Sequence, residues 1–394
     1  EESGNFLNVK LLIDLTEGIN LTKKQRAAVY LMTGEYYGMK GQYDLSLGEL
    51  VKGMEYAYGD MRRKMNSRAA YYLMKAGHYK DAVHYMSRIR KREPEQEMIR
   101  SMIFLRRGQF RKAEGIMKSL LEESKDLPAL MSIRILNTLG VLYSEMRDPL
   151  KALEYYKKAV GRLEDGDYNT HPFAATVYSN TGYSFYETQQ YEEAEDYYTG
   201  ALDLRKSFLG EYHPDVADSY NNIAMLLYSR HRLDEALSKI MKAVDIMDKT
   251  QGSDSINIMD IYSNAGNIYD EMKQYEKAMG FYKKALDIAE SNLKKDHPKI
   301  ADKYNNLGQT ALNMKDYVNG EHYLVKALSI YRAVYGRSPA TAFAINNLGE
   351  LYRADGNTEK AKHYFNEALD MISGKGYEYA ENYIRDNVAQ LKDQ

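Results

Sequence analysis

Small residues recur along this chain at a constant spacing of 42 residues, and this regularity constrains the fold more than any other feature. The positions, the last of which comes one residue early, are Gly140, Gly182, Ala224, Gly266, Gly308 and Gly349. Around each lies the same pattern of an aromatic residue or Leu, an Asn, a small residue and an apolar residue. A unit of this length buries its apolar face only against its neighbours, so the sequence predicts a solenoid that grows by stacking.

Each unit reads as two amphipathic helices, as residues 133–160 illustrate. Apolar positions spaced by three and four predict a first helix with Leu136, Leu139, Gly140 and Tyr143 on one face. After a short turn, the second helix repeats the spacing with Ala152, Tyr156 and Ala159. The small residues are expected to let the two helix backbones approach closely, while the tyrosines fill the remaining volume. With 37 Tyr and no Trp, tyrosine is the main large packing residue.

The repeats divide the chain into three predicted segments. Residues 1–130 hold about three divergent helical repeats, 131–373 hold six regular repeats, and 374–394 form a C-terminal capping helix. A lone helix is predicted at residues 6–18. Pro172, Pro214, Pro298 and Pro339 precede first helices, and Pro at the opening position of a helix loses no hydrogen bond.

The pattern resembles the tetratricopeptide repeat, and the linkers LGEYHPDVADSYNNIA and LKKDHPKIADKYNNLG are similar to the longer repeats of kinesin light chains and related bacterial proteins. The resemblance implies an all-α, right-handed superhelical solenoid of antiparallel helix pairs. It also implies that first helices line a concave groove in which Asn side chains bind the backbone of an extended peptide.

On this resemblance, the first helices supply a set of candidate peptide-binding residues. They are Asn137, Asn180, Tyr183, Asn222, Met225, Asn264, Asn267, Asn306, Gln309, Asn347 and Glu350. An amide offers both donors and an acceptor, as a peptide group requires. The alternative is that the Asn residues bond between neighbouring repeats and fix the superhelix pitch. Acidic and aromatic residues dominate the variable groove positions, including Asp218, Asp260, Asp270 and Asp302, which predicts a ligand with basic and apolar side chains.

Several functional classes lack support in the sequence. There is no Cys, no catalytic or nucleotide-binding motif is present, and the histidines fall on different repeats, so neither a metal site, a cofactor nor catalysis is predicted. Residues 87–112 are rich in Arg and Lys, but glutamates interrupt them, so a solvated helix surface is favoured over nucleic-acid binding. Members of the resembled family that hold the acidic C-terminal tail of a chaperone place Lys or Arg at fixed groove positions. The six regular repeats have no basic residue at those positions, so an acidic C-terminal tail is not the expected ligand.

The predicted function is a non-enzymatic scaffold that holds an extended protein or peptide segment in the groove. The alternative is a sensor or regulatory region of a larger signalling protein, for example one of a bacterial envelope. Three observations motivate it: the start at Glu1 without Met, which suggests missing upstream residues, the absence of Cys, and an uneven charge. Residues 1–130 carry 23 Lys and Arg against 17 Asp and Glu, whereas the remainder carries 31 against 39. The expected location is soluble, either cytoplasmic or periplasmic.

Overall fold

The computed structural model describes residues 19–39, 42–90, 92–123, 128–250, 256–374 and 376–391. The helix predicted at residues 6–18 therefore lies outside the described residues. Within them the chain forms nineteen α-helices and one short 3-10 helix, and no strand. The predicted all-α class is confirmed.

The helices of the first half begin with α1, and their bounds follow in chain order. They are α1 Lys23–Met39, α2 Tyr43–Met54, α3 Gly59–Lys75, α4 Tyr79–Ser87, α5 Pro94–Arg106, α6 Phe110–Glu123, α7 Ala129–Glu145, α8 Pro149–Asp165, α9 Pro172–Glu187 and α10 Tyr191–Leu209. The second half holds α11 Pro214–Ser229, α12 Leu233–Thr250, the 3-10 helix Ile256–Ile258, α13 Met259–Glu271, α14 Tyr275–Asn292, α15 Pro298–Asn313, α16 Tyr317–Tyr335, α17 Pro339–Ala354, α18 Thr358–Ile372 and α19 Glu378–Ala389.

Consecutive helices pack as hairpins, so that each odd-numbered helix from α1 to α7 and from α11 to α17 contacts the helix that follows it. Helix α9 contacts α10 through Phe185 and Tyr197, whose ring centroids are 5.4 Å apart. The described residues thus contain nine helix pairs, followed by α19, which packs against α17 and α18. By compactness the chain divides into two units, Glu1–Leu204 and Arg205–Gln394.

Four first helices of the later repeats begin at a proline, as the sequence predicts. Pro172, Pro214, Pro298 and Pro339 occupy the opening turns of α9, α11, α15 and α17. The histidines before three of these prolines have a role that the sequence interpretation missed. The Nδ1 atoms of His171, His213 and His297 accept a hydrogen bond from the backbone N–H two residues later, at 3.0 to 3.1 Å. These histidines are helix caps, which supply an acceptor for an otherwise unpaired N–H.

Four of the five repeating glycines face an aromatic side chain of the second helix, which the expectation of close backbone approach did not include. At Gly308 that expectation is confirmed, since a Cβ there would lie 3.3 Å from the carbonyl oxygen of Gly320. A Cβ at Gly266 would lie 2.5 Å from the ring of Tyr282, and one at Gly182 would lie 2.8 Å from the ring of Tyr198. At Gly349 the side chain that leaves no room is Phe365. At these glycines the aromatic residue of the second helix therefore packs onto the bare backbone of the first helix and fills the volume that the missing side chain leaves.

The burial of many tyrosine side chains predicts a steep loss of stability in alkali. Burial raises the pKa of Tyr143 to about 12 and also raises the pKa of six other tyrosines: Tyr156, Tyr198, Tyr282, Tyr304, Tyr331 and Tyr352. Because the folded-state pKa is raised, the stability from neutral tyrosines is complete below the unfolded pKa near pH 10 and is lost as pH rises further.

We expect helicity, followed by circular dichroism, to collapse above about pH 10 together with the ionisation of these tyrosines, followed by tyrosinate absorbance. The urea-unfolded chain is the control, since its tyrosines should ionise in a single step at about pH 10. If all tyrosines of the folded chain ionised at that pH with helicity intact, the assignment would be wrong.

Candidate functional site

Corresponding positions of the first helices in the second unit form columns along successive repeats, which we call the first-helix face. The first column contains Asp218, Asp260, Asp302 and Phe343. The second contains Asn222, Asn264, Asn306 and Asn347, and the third contains Met225, Asn267, Gln309 and Glu350. Asp218, Asp260, Asp302 and Gln309 are exposed, Asn347 is buried, and the others are partly exposed. The predicted site residues of this unit thus fall on one surface.

Most ladder asparagines bond to a neighbouring repeat. The Asn264 Nδ2 donates to Asn221 Oδ1 at 2.8 Å, and the Asn347 Nδ2 donates to Asn305 Oδ1 at 2.7 Å. In the first unit, Asn180 Nδ2 donates to Asn137 Oδ1 at 2.9 Å. We call each such pair a rung. The rungs are the contacts that the alternative interpretation of the ladder expects, because they tie one first helix to the next.

Asn306 differs from these ladder residues. The position that would complete its rung is occupied by Ser263, whose hydroxyl donates to the carbonyl of Met259 at 3.0 Å. Within the described residues, the Asn306 side chain takes part in no hydrogen bond, and it is partly exposed. Its amide therefore keeps both donors and its acceptor available on the first-helix face.

The acidic residues of the face are largely engaged within the protein. Asp260 contacts Lys299 Nζ at 2.7 Å and Lys303 Nζ at 3.4 Å, both on the next first helix. Although burial acts in the opposite direction, these two lysines hold the pKa of Asp260 below its ordinary value. Burial lowers the pKa of Lys303 despite the nearby carboxylate. The negative charge of Asp260 is thus already balanced.

Asp270 and Asp302 also have internal donors. Thr310 and Asn313 donate to the two carboxylate oxygens of Asp270 at 2.8 and 3.3 Å, and the Tyr331 hydroxyl donates to Asp302. In the third column, Asn267 accepts from the Tyr282 hydroxyl at 2.7 Å. The acidic character that the sequence assigns to this face is therefore weaker than the count of carboxylates indicates.

At the C-terminal end of the face, α19 extends the columns by one more helix. Asn387 Nδ2 donates to Asn346 Oδ1 at 2.9 Å and so forms a further rung. Tyr383 lies beside Phe343, with ring centroids 5.9 Å apart. Sequence reasoning missed Phe343, Tyr383 and Asn387. The signal was available, since Phe343 continues the column of Asp302 and Asn387 follows Asn347 by nearly one repeat.

In the first unit, Tyr183 is the most exposed of the predicted site residues. It is 44% exposed on α9, and its ring lies 6.5 Å from that of Tyr186. Asn137 is buried, whereas Asn180 is partly exposed. Asn137 and Asn180 therefore form a rung between α7 and α9, and the aromatic pair of Tyr183 and Tyr186 follows Asn180 along α9.

The described residues show no gathering of three or more His, Cys, Asp or Glu side chains that could hold a metal ion. Among them, no helix has both the length and the apolar character needed to cross a membrane. In the Arg-rich segment, Glu97 pairs with Arg92 at 3.5 Å and with Arg100 at 3.1 Å, and Arg106 pairs with Glu145 at 2.9 Å. Part of its positive charge is therefore neutralised locally.

Comparison with known families agrees with this repeated geometry. A tetratricopeptide repeat family model matches residues 173–238, 215–291 and 299–373, and a second model of the same repeat matches residues 133–162. Together these matches span more than half of the sequence. The chain is a tetratricopeptide repeat protein. The matched residues fall on the helices from α7 to α18.

Solved structures with similar folds include two Rap proteins. The apo form of RapI is 16% identical, with a TM-score of 0.60, over 84% of this chain and 97% of that one. A Rap protein complexed with Competence and Sporulation Factor is 13% identical, with a TM-score of 0.54, over 84% and 98% of the two chains. TPR-like repeats assigned to a kinesin light chain of Podosopora anserina are 16% identical, with a TM-score of 0.48, over 52% of this chain and 99% of that one. No curated protein sequence matches the chain.

Proposed function

We propose that this tetratricopeptide repeat protein is a non-catalytic scaffold that binds an extended segment of a protein or peptide along its first-helix face. The observation that supports this function best is the available side chain of Asn306 in a ladder in which Asn180, Asn264 and Asn347 form rungs. An extended segment presents a carbonyl and an N–H on its backbone, and one amide side chain can bond both.

Other residues of the first-helix face fit such a ligand. Gln309, one turn along α15, is exposed and adds a second amide, while Met225 offers a partly exposed apolar surface on α11. Sites for peptides combine main-chain hydrogen bonds, which give affinity, with side-chain pockets, which give specificity. The Rap protein solved with Competence and Sporulation Factor supports the view that a fold of this type can hold another molecule.

This proposal modifies the ligand preference predicted from sequence, which was for basic and apolar side chains. Asp260 is balanced by two lysines, so it is a weak point of attachment for a basic side chain. The middle of the face is better suited to backbone recognition. Preference for particular ligand side chains is then expected from positions where the columns differ, such as Met225 and Glu350.

The test compares two asparagines of the same ladder. A pool of N-acetylated random ten-residue peptides is passed over the immobilised full chain, and the retained fraction is measured for wild type, Asn306→Ala and Asn264→Ala. Loss of one hydrogen bond to ligand should lower retention by Asn306→Ala about fivefold, with the urea unfolding midpoint unchanged. Asn264→Ala should lose about 1 kcal/mol of stability, because it leaves Asn221 without its rung partner.

Two results would contradict the proposal. One is that the wild-type chain retains no peptide above a column that carries an unrelated helical protein. The other is that Asn306→Ala retains the same peptides at the same level as wild type, which would remove Asn306 from the binding face.

A further inference from the structure

A compact polar network lies where α17 meets the last helix, α19. Glu350 Oε1 accepts three hydrogen bonds: from Asn346 Nδ2 at 3.1 Å, from Asn387 Nδ2 at 2.9 Å and from the Tyr383 hydroxyl at 3.1 Å. Asn346 is fully buried and Asn387 is 6% exposed. Because its donors are themselves held by the rung between Asn346 and Asn387, the position of the Glu350 carboxylate is fixed.

All three donors bond to Oε1, so the second carboxylate oxygen of Glu350 remains available to accept a hydrogen bond from a ligand. Within the described residues, Glu350 has no basic partner, and no hydrogen bond reaches its Oε2 atom. Asp260 is the contrasting case, since Lys299 and Lys303 balance its charge on the same face. Glu350 therefore presents an oriented carboxylate, partly exposed, whose charge the neighbouring repeats leave unbalanced.

One aromatic ring contacts this carboxylate, and a second ring packs against the first. Phe343 lies two turns before Glu350 on α17, and Tyr383 of α19 contacts both of them. The two rings are inclined at 57° with centroids 5.9 Å apart, and Tyr383 is 42% exposed. The face of an aromatic ring attracts a cation electrostatically, and a carboxylate strengthens hydrogen bonds from a charged donor. Negative charge and aromatic surface thus occur together at this end of the first-helix face.

We propose that Phe343, Tyr383 and Glu350 form a subsite for a lysine or arginine side chain of the bound segment. The aliphatic part of that side chain packs on the two rings, while its ammonium or guanidinium group donates to the Oε2 atom of Glu350. This assignment rests on the proposed peptide-binding function, to which it adds a specificity-determining position. It also places the capping helix α19 in the binding surface, through Tyr383.

The test uses the same N-acetylated random peptide pool on the full chain, now with sequencing of the retained peptides. Acetylation removes the terminal amine, so any selected cation is a side chain. We expect peptides retained by wild type to be enriched in Lys or Arg at one position, about tenfold over the input pool. Glu350→Gln, which keeps the shape and an oxygen acceptor, and Phe343→Leu, which removes a ring, should both abolish this enrichment.

A matched control removes an acidic charge elsewhere in the last repeat. Asp370 is 81% exposed on the second helix α18, where it pairs with Arg337, and Asp370→Asn should leave the enrichment unchanged. Circular dichroism and the urea midpoint of each variant establish that it is folded. The Phe343→Leu result is decisive if Glu350→Gln disturbs the buried network.

The outcomes separate the two proposals. If wild type retains peptides without basic enrichment, or if the folded Glu350→Gln and Phe343→Leu variants keep it, the subsite assignment is overturned while the binding function stands. If wild type retains no peptide, the proposed function itself fails, and the subsite fails with it. Equal loss of enrichment in Asp370→Asn would show that general charge, and not the subsite, selects the cation.

Discussion

Replacing Gly266 by Ala is expected to destabilise the protein by about 2 kcal/mol, although alanine is the better helix former by about 1 kcal/mol. The added methyl group would lie 2.5 Å from the ring of Tyr282, which is only 3% exposed and has its hydroxyl bonded to Asn267. The ring cannot move without breaking that bond and displacing neighbours in a closely packed interior. Urea unfolding followed by circular dichroism measures the effect.

The chain supplies its own controls for this prediction. Gly280 also lies within a helix, on α14, but a Cβ there would meet no atom within 4 Å, so Gly280→Ala should be stabilising by about 0.5 to 1 kcal/mol. In the third regular repeat the corresponding pair is Ala224 and Ile240. The double variant Gly266→Ala/Tyr282→Ile should therefore recover part of the stability lost in the single variant. A destabilisation equal at both glycines would contradict the packing explanation.

The second large effect is expected at the contact between Asp260 and Lys303. The Lys303 side chain is only 7% exposed, and Asp260, which is 57% exposed, is its acidic partner at 3.4 Å. Asp260→Asn leaves the buried ammonium without a carboxylate, which we expect to be destabilising by about 2 kcal/mol, less than for a fully buried pair because solvent screens Asp260. The measurement is again the urea unfolding free energy.

Lys303→Met is the matched variant, because the corresponding positions Val177 and Ile261 of other repeats are apolar. Its stability should equal or exceed that of wild type, and Asp260→Asn should then cost almost nothing in the Lys303→Met background. A double variant as unstable as Asp260→Asn alone would show that the ion pair is not the cause.

The same pair predicts an acid dependence. The lysines lower the folded-state pKa of Asp260 below its ordinary value of 3.8. The stability that it contributes is therefore complete above that pH and is lost as pH falls through the depressed folded-state pKa. Wild type should consequently approach the stability of Asp260→Asn as the pH falls below this value.

The repeat architecture was predictable from sequence because its causes lie within one unit. The three- and four-residue spacing of apolar positions determines the two helices, and proline determines where several first helices begin. The pairing of a small residue with a large one, such as Gly266 with Tyr282, repeats in each unit. Its physical meaning was less accessible, since spacing alone does not show whether the small residue faces a backbone or an aromatic ring.

The functional assignment depends on contacts between units, and these the sequence could not specify. Asn264 and Asn306 occupy the same position of the repeat, yet one forms a rung and the other does not, because the preceding repeat offers Asn221 in one case and Ser263 in the other. Likewise, Asp260 and Glu350 are both acidic positions of the first-helix face, but only Asp260 lies within reach of two lysines.

The sequence by itself determined the helix pairs, their periodicity and the surface on which the polar ladder lies, since local spacing controls which side of a helix is buried. Only the tertiary structure decided which of those polar groups are already satisfied by a neighbouring repeat. That distinction depends on side-chain distances of a few ångströms between residues about 42 positions apart. A hydrogen bond or an ion pair forms or is lost over such distances.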